Sequence, residues 1–382
     1  MTWQMNLPKR DLKMRFRTVA ALILSVAMLF TACGSKAENN QASSKAADSK
    51  SVTRETAEST PLFSEIVIND TDSAYQSAGT KYVRSYVEVD GSEISAGTDT
   101  NYVIKVNLAY QCVTVYTLDS AGNETPLKAF ACSTARGAHI TPEGDYYTDE
   151  WYTWCYMVDS TYGQYAYRLV IGDETDYMFH SVPYLTQSKD DLEWGDYDKL
   201  GQTASMGCIR LCVADARWIC ANVGPNVHVI VYTDESSPGP LGKPEAFFVP
   251  WDCYPVSGWD PTDPDPDNPW HSYTFTLSAP ANIQIAASSE PLDITEYLTV
   301  NDEYGSSLAR FATYECDGET YGFSYTVNDQ ETISTYPSYQ QSELVNYAYN
   351  GMDVSKPGTY NIRIRLSIGP LTAYRQATVI VK

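Results

Sequence analysis

Only four histidines occur in 382 residues, His139, His180, His228 and His271, so a catalytic imidazole has few places to be. Basic residues are few as well: 26 Lys and Arg stand against 48 Asp and Glu, a formal net charge of −22. Such a field repels polyphosphates and excludes nucleic acid as a partner. Charged residues make up only 19% of the chain, and there are 30 tyrosines. That balance fits a β-rich extracytoplasmic protein better than a helical cytosolic one. None of the nine cysteines forms a CxxC pair, so Cys208, Cys212 and Cys220 are not read as a metal site, and neither a metal nor a cofactor is expected. What is plentiful is apolar material: 43% hydrophobic and 13% aromatic residues supply cores for two or more domains.

The chain is organised around Ser205, Met206, Gly207, Cys208, Ile209, Arg210 and Leu211, which combine a small-residue turn, a thiol and an arginine. Ala216, Ile219, Cys220 and Val223 follow at helical spacing, and Gly224 with Pro225 ends the pattern. A helix beginning soon after Cys208, with Arg210 nearby, predicts a lowered thiol pKa and a reactive thiolate. For the base, His228 lies inside the run Val227 to Tyr232, read as a buried strand, and His271 lies beyond a proline-rich stretch. His180 follows Tyr177, Met178 and Phe179 at a strand end, 28 residues ahead of Cys208. A Cys208–His180 pair has the chemistry of cysteine acyl transfer.

These residues resemble the L,D-transpeptidases with a YkuD-type catalytic domain. His180 with Ser181, then Ser205, Gly207, Cys208, Ile209 and Arg210, match the family's histidine and Ser/Thr-x-Gly-Cys motif, and Thr141 to Gly144 matches its TPxG turn. The likeness runs from about Asn101 to Thr233. Met206 stands where the family usually has a second histidine, and Ser181 where many members have glycine. The resemblance implies Cys208 as nucleophile, His180 as general base and acid, and backbone N–H groups near Gly207 and Cys208 as oxyanion donors. Ser181 is assigned to orienting His180, through its backbone carbonyl. Ser205 and Arg210 are assigned to substrate, the guanidinium suiting a peptide carboxylate; a local turn and a surface charge are their plain alternatives. Tyr184, Trp194 and Tyr197 are read either as lining a lid or as packing on themselves.

Taken in order, residues 1–32 read as an export signal, with a basic stretch to Arg17 and an apolar run from Val19 to Phe30. Thr31, Ala32 and Cys33 resemble a bacterial lipobox, which makes Cys33 a lipidation site and places the protein outside the cytoplasm, anchored to the membrane and facing the wall. Removing that segment, with five basic residues against one acidic, leaves −26. Residues 33–60, rich in Ala, Ser, Lys, Glu and Asn, form a tether, and 61–100 a lead-in segment packing on the catalytic domain. Residues 101–234 read as a mainly β, sandwich-like catalytic domain with one main helix. Residues 235–270 hold nine of the 20 prolines with interleaved aspartates and read as a semi-rigid acidic spacer rather than a calcium loop. Residues 271–382 read as short strands of a β-sandwich that resembles bacterial immunoglobulin-like modules, a spacer or a binder of a wall or protein partner. Cys112 and Cys132 are read as either bridged or as reduced, buried thiols.

The activity implied by the resemblance is cross-linking of peptidoglycan stem peptides between third residues, through a thioester on Cys208 that carbapenems would also form. Transfer to water would give an L,D-carboxypeptidase. A non-catalytic peptidoglycan-binding wall lipoprotein is the reading from another class.

Overall fold

The computed structural model describes residues 65–68, 81–85, 93–171, 174–250, 253, 255–305, 307–327 and 345–382. The export signal, Cys33 and the tether lie outside the described residues. The protein is mainly β. The first half carries β1 (Glu65–Ile68), β2 (Lys81–Ser85), β3 (Tyr102–Asn107), β4 (Cys112–Leu118), β5 (Glu124–Ala131), β6 (Gly144–Tyr156), β7 (Tyr162–Ile171), β8 (Glu174–Ser181), β9 (Ile209–Leu211) and β10 (His228–Tyr232). The second half carries β11 (Phe275–Ser278), β12 (Asn282–Ile285), β13 (Thr299–Asp302), β14 (Thr313–Cys316), β15 (Glu319–Val327), β16 (Val345–Asn350), β17 (Gly358–Ile368) and β18 (Leu371–Val381). The described α-helices are α1, a single turn at Trp194–Tyr197, and α2, Val213–Asn222.

β3 to β10 form one eight-stranded sheet in the order β5-β4-β3-β10-β6-β7-β8-β9. It is antiparallel except where β10 joins β3 and β9 joins β8. Alternation sets its faces: Val229 and Val231 of β10 enter the core, while His228, one residue before Val229 and on the opposite face, is half-exposed, stacked on Tyr147 and 2.6 Å from Asp145. The expected buried strand is therefore buried on one face only. Ala216, Ile219 and Cys220, all fully buried, are the stripe by which α2 packs on β7 and β8. The helix starts at Val213, because Ile209, Arg210 and Leu211 take up a strand first.

The second half forms another sheet, β2-β18-β17-β14-β15-β16, with β1 beside β2 and β12 beside β18, plus the β11–β13 pair. The lead-in segment divides between the halves. β2 pairs with Leu371–Tyr374 of β18, whereas the Gly97 N–H donates to the Cys220 carbonyl at 2.9 Å. Cys112 and Cys132 are both buried free thiols, the second of the two arrangements read from the sequence.

The segment 235–270 differs most from its reading as a spacer. Val249, Val256, Asp260, Asp263 and Trp270 are all fully buried. Among the described residues of this proline-dense segment the regular structure is two single 3₁₀ turns, Val256–Gly258 and Pro269–His271, and aspartate side chains replace longer backbone ladders. Asp260, Asp263 and Asp265 each accept the N–H two residues on, at 2.7, 3.0 and 2.9 Å, and Asn268 caps Trp270 in the same way at 3.1 Å. Trp270 lies against Gly369, whose N–H donates to the Phe248 carbonyl at 2.7 Å. Gly369 has φ +51°, and an added Cβ would stand 2.5 Å from the Trp270 ring. Gly369→Ala is therefore expected to lower stability by about 1–3 kcal/mol, read as an earlier urea-unfolding midpoint at unchanged slope.

Candidate active site

The site is built on the parallel pair β8–β9, in register Phe179 with Ile209, His180 with Arg210 and Ser181 with Leu211. Phe179 and Ile209 point into the core. Alternation therefore puts His180 and Arg210 on the other face, and Cys208, one residue ahead of β9 and opposite Met178, shares it. The Met178 N–H donates to the Cys208 thiol. His180 Nδ1–H donates to the Ser181 carbonyl at 2.6 Å, which leaves Nε2 as the lone-pair nitrogen. Behind the ring sits Gly163, where a Cβ would come within 2.8 Å of the imidazole Nδ1.

The turn that delivers Cys208 is closed from inside. Ser205 Oγ accepts the Gly207 N–H at 3.0 Å and donates to the Cys208 carbonyl at 2.6 Å. Thr141, from the TPEG turn, donates to the Gly207 carbonyl at 2.7 Å and accepts the Ala135 N–H at 3.0 Å. Gly207 has φ +141°, and a Cβ there would meet the Tyr177 ring at 2.9 Å, so glycine is required. Two assignments are corrected by this turn. The Ser205 hydroxyl is consumed by backbone and buried, so it is not a substrate contact; and the Gly207 N–H is engaged by Ser205, so it is not a free oxyanion donor.

Arg210 is corrected as well. It is buried, and its guanidinium is ion-paired with Asp196, with Asp159 at 3.6 Å on its other side. Asp196 also accepts from Lys199 Nζ at 2.7 Å. Against burial, the Lys199 and Arg210 charges bring the Asp196 carboxyl down to about 2. The arginine therefore has its carboxylates already, and none of its charge faces a peptide terminus. Tyr184 and Tyr197 are fully buried, the packing alternative rather than the lid. Met206, where a second histidine was looked for, is 46% exposed.

Residues 101–231 match the YkuD family model, the L,D-transpeptidase catalytic domain. A Bacillus subtilis (strain 168) protein named "Putative L,D-transpeptidase YciB" is 31% identical over 96 residues, 24% of this chain and 46% of that one. The chain thus spans less than half the length of that curated relative. Among solved structures, a fused Zn-dependent amidase/peptidase/peptidoglycan-binding domain-containing protein from Clostridium acetobutylicum ATCC 824 is 24% identical, with a TM-score of 0.27, over 36% of this chain and 54% of that one. An L,D-transpeptidase from Mycobacterium tuberculosis H37Rv is 22% identical, with a TM-score of 0.27, over 35% and 57%.

The electrostatics of the site differ from the thiolate expectation. The N–H groups that open α2 are taken by Asp260 Oδ2 at 2.8 Å and Thr262 Oγ at 3.0 Å, and β9 separates them from Cys208. Burial pushes the Cys208 thiol above its ordinary value, and the Met178 N–H and the Arg210 charge offset only part of that. Burial first, then the Arg210 charge, hold His180 down to about 4. Both shifts favour the uncharged forms, a thiol and a neutral imidazole, at neutral pH. Gly163, Thr141 and Asp196 were not singled out as site residues; only the TPxG match carried a signal, for Thr141. If the pair is neutral, carbamidomethylation of Cys208 by iodoacetamide, followed by peptide mass spectrometry, should speed up about tenfold per pH unit from pH 6 to pH 8. A rate already level at neutral pH would instead mean a preformed thiolate–imidazolium pair.

Proposed function

We propose that the protein is a peptidoglycan L,D-transpeptidase that works through a cysteine thioester. The observation that carries this is the His180 imidazole, fixed by its Nδ1–H bond to Ser181 so that Nε2 is the basic nitrogen, on the face it shares with Cys208. The family match over residues 101–231 supports it. Nε2 takes the Cys208 proton as Sγ attacks the carbonyl that joins the third residue of a stem peptide to its terminal D-alanine. The oxyanion is held by the N–H of Cys208 itself, the backbone donor left once Gly207 is committed to Ser205, a contribution of about 3 kcal/mol. The imidazolium returns its proton to the leaving amine, D-alanine departs and a thioester remains. An amine from a second stem peptide attacks the thioester, which forms the cross-link between third residues and frees the thiol.

In the same reading Cys33 carries the lipid anchor, residues 33–60 give reach from the membrane to the wall, and the C-terminal sheet is an immunoglobulin-like module that spaces the domain or binds a wall partner. Because the base is neutral down to about pH 4, acylation should stay efficient at mildly acidic pH and fall only as that value is approached. The test is intact-mass spectrometry with a carbapenem, alongside disaccharide tetrapeptide with and without an acceptor peptide. One adduct on the wild type, none on Cys208→Ala and a rate about 10²–10⁴-fold lower for His180→Ala are expected, with release of D-alanine and a cross-linked dimer. Release of D-alanine without dimer would make it a carboxypeptidase. An alkylatable Cys208 that takes no adduct and releases nothing would leave a binding protein.

A further inference from the structure

The two arms of the site, β8 with His180 and β9–α2 with Cys208, are both tied down by one short stretch outside the matched domain. Fully buried Asp263 accepts Gln164 Nε2–H at 3.2 Å and pairs with Lys189 Nζ at 3.4 Å. The Gln164 backbone N–H donates to Ser181 Oγ at 2.9 Å, and Ser181 is the residue whose carbonyl holds His180. Gln164 also follows Gly163, the floor under the imidazole. On the other arm, Asp260 and Thr262 accept the first two N–H groups of α2, directly downstream of β9. The stretch is braced internally, since Asn268 Nδ2 donates to the carbonyls of Asp260 and Asp263 at 2.9 and 2.8 Å. Asp265 adds a second carboxylate to Lys189 at 2.8 Å.

We infer that Asp260 to Asp265 form a positioning clamp for the Cys208–His180 pair, with Asp263 acting on the base through Gln164 and Ser181. The inference rests on the acyl-transfer reading for its consequence in rate, but the placement of the imidazole is a separate observable. The proline-rich run is then part of the catalytic unit, and the matched domain depends on residues that follow it. Its aspartates serve as buried hydrogen-bond acceptors where prolines have removed the backbone donors of an ordinary element.

The test uses the full chain carrying Asp263→Ala, Asp263→Asn, Gln164→Met and the Ala/Met pair, read by the nitrogen-15 shifts of the His180 ring and by carbapenem acylation. Wild type should show the Nδ1–H tautomer alone. Asp263→Ala and Gln164→Met should each mix the tautomers and slow acylation about tenfold to a hundredfold, and the pair should be no worse than either alone. Asp263→Asn keeps an oxygen for Gln164 and should restore the wild-type ring signal even though it drops the charge facing Lys189. Unaltered ring shifts and rates in Gln164→Met would overturn the clamp, as would additive losses in the pair; Gln164→Met leaves the Lys189 pair intact, so it decides the matter even where Asp263→Ala does not fold. Ring shifts that move as expected in a protein never acylated would keep the clamp and discard the acyl-transfer reading.

Discussion

The His180 imidazole is buried away from bulk solvent and held by one short hydrogen bond from Nδ1–H to the Ser181 carbonyl. Everything around it keeps that bond in line. Gly163 leaves no space for the ring to tilt back, Ser181 is fixed in turn by the Gln164 N–H, and parallel pairing with β9 puts Cys208 and His180 on the same face. Burial is what makes the arrangement useful. It removes the charge that His180 would otherwise carry in mild acid, and a base that is already neutral has no proton to lose before it acts. The same burial raises the thiol, so in the proposed acyl transfer the proton moves during attack rather than before it.

Charge is managed at a distance from the reacting atoms. Arg210 lies opposite His180 in the β8–β9 register, and with Lys199 it balances the charges of Asp196 and Asp159. A buried pair of this kind gives little net stability when intact, but losing one partner strands the other at a cost of about 3–5 kcal/mol. Asp196 carries the heavier duty, since it also holds Lys199, whose carbonyl accepts from the Ser133 hydroxyl at 3.0 Å. That cluster fixes the path of the chain between His180 and Cys208 and so helps to place both.

Cys208 and His180 could be picked out as candidates because a thiol in a Ser-x-Gly-Cys turn and a histidine at a strand end are local patterns, and the β8–β9 register places them on one face. The strand read at Val227 to Tyr232 lies within one position of β10, whereas β9 was not read from the sequence. Arg210 was not, because its partners Asp196 and Asp159 lie 14 and 51 residues away and nothing in the linear pattern pairs them. The helix-dipole argument for a thiolate failed over three residues: Ile209, Arg210 and Leu211 form β9, and α2 spends its N-terminal donors on Asp260 and Thr262. The Pro/Asp run was misread for a different reason. Proline count reports which backbone bonds cannot form, and says nothing of side chains that take their place.

The strong acidity of the chain also looks different once the aspartates are located. Asp196, Asp198, Asp215, Asp260 and Asp263 are buried, Asp196 and Asp263 with basic partners, so part of the formal −22 is offset inside the fold. Burial lifts Asp215 and Asp260 to about 7, and Asp198 well above the usual carboxylate range. At neutral pH these groups bind protons that the unfolded chain would not. By linkage they favour the native state in mild acid and less so as pH rises through neutrality. His180 works in the opposite sense, since its neutral burial is fully stabilising above its ordinary value of 6.5 and is lost as pH falls toward 4. The aspartates around α2 therefore lose their contribution as pH rises from the ordinary carboxylate range to about 7, and the imidazole loses its own as pH falls from 6.5 to about 4.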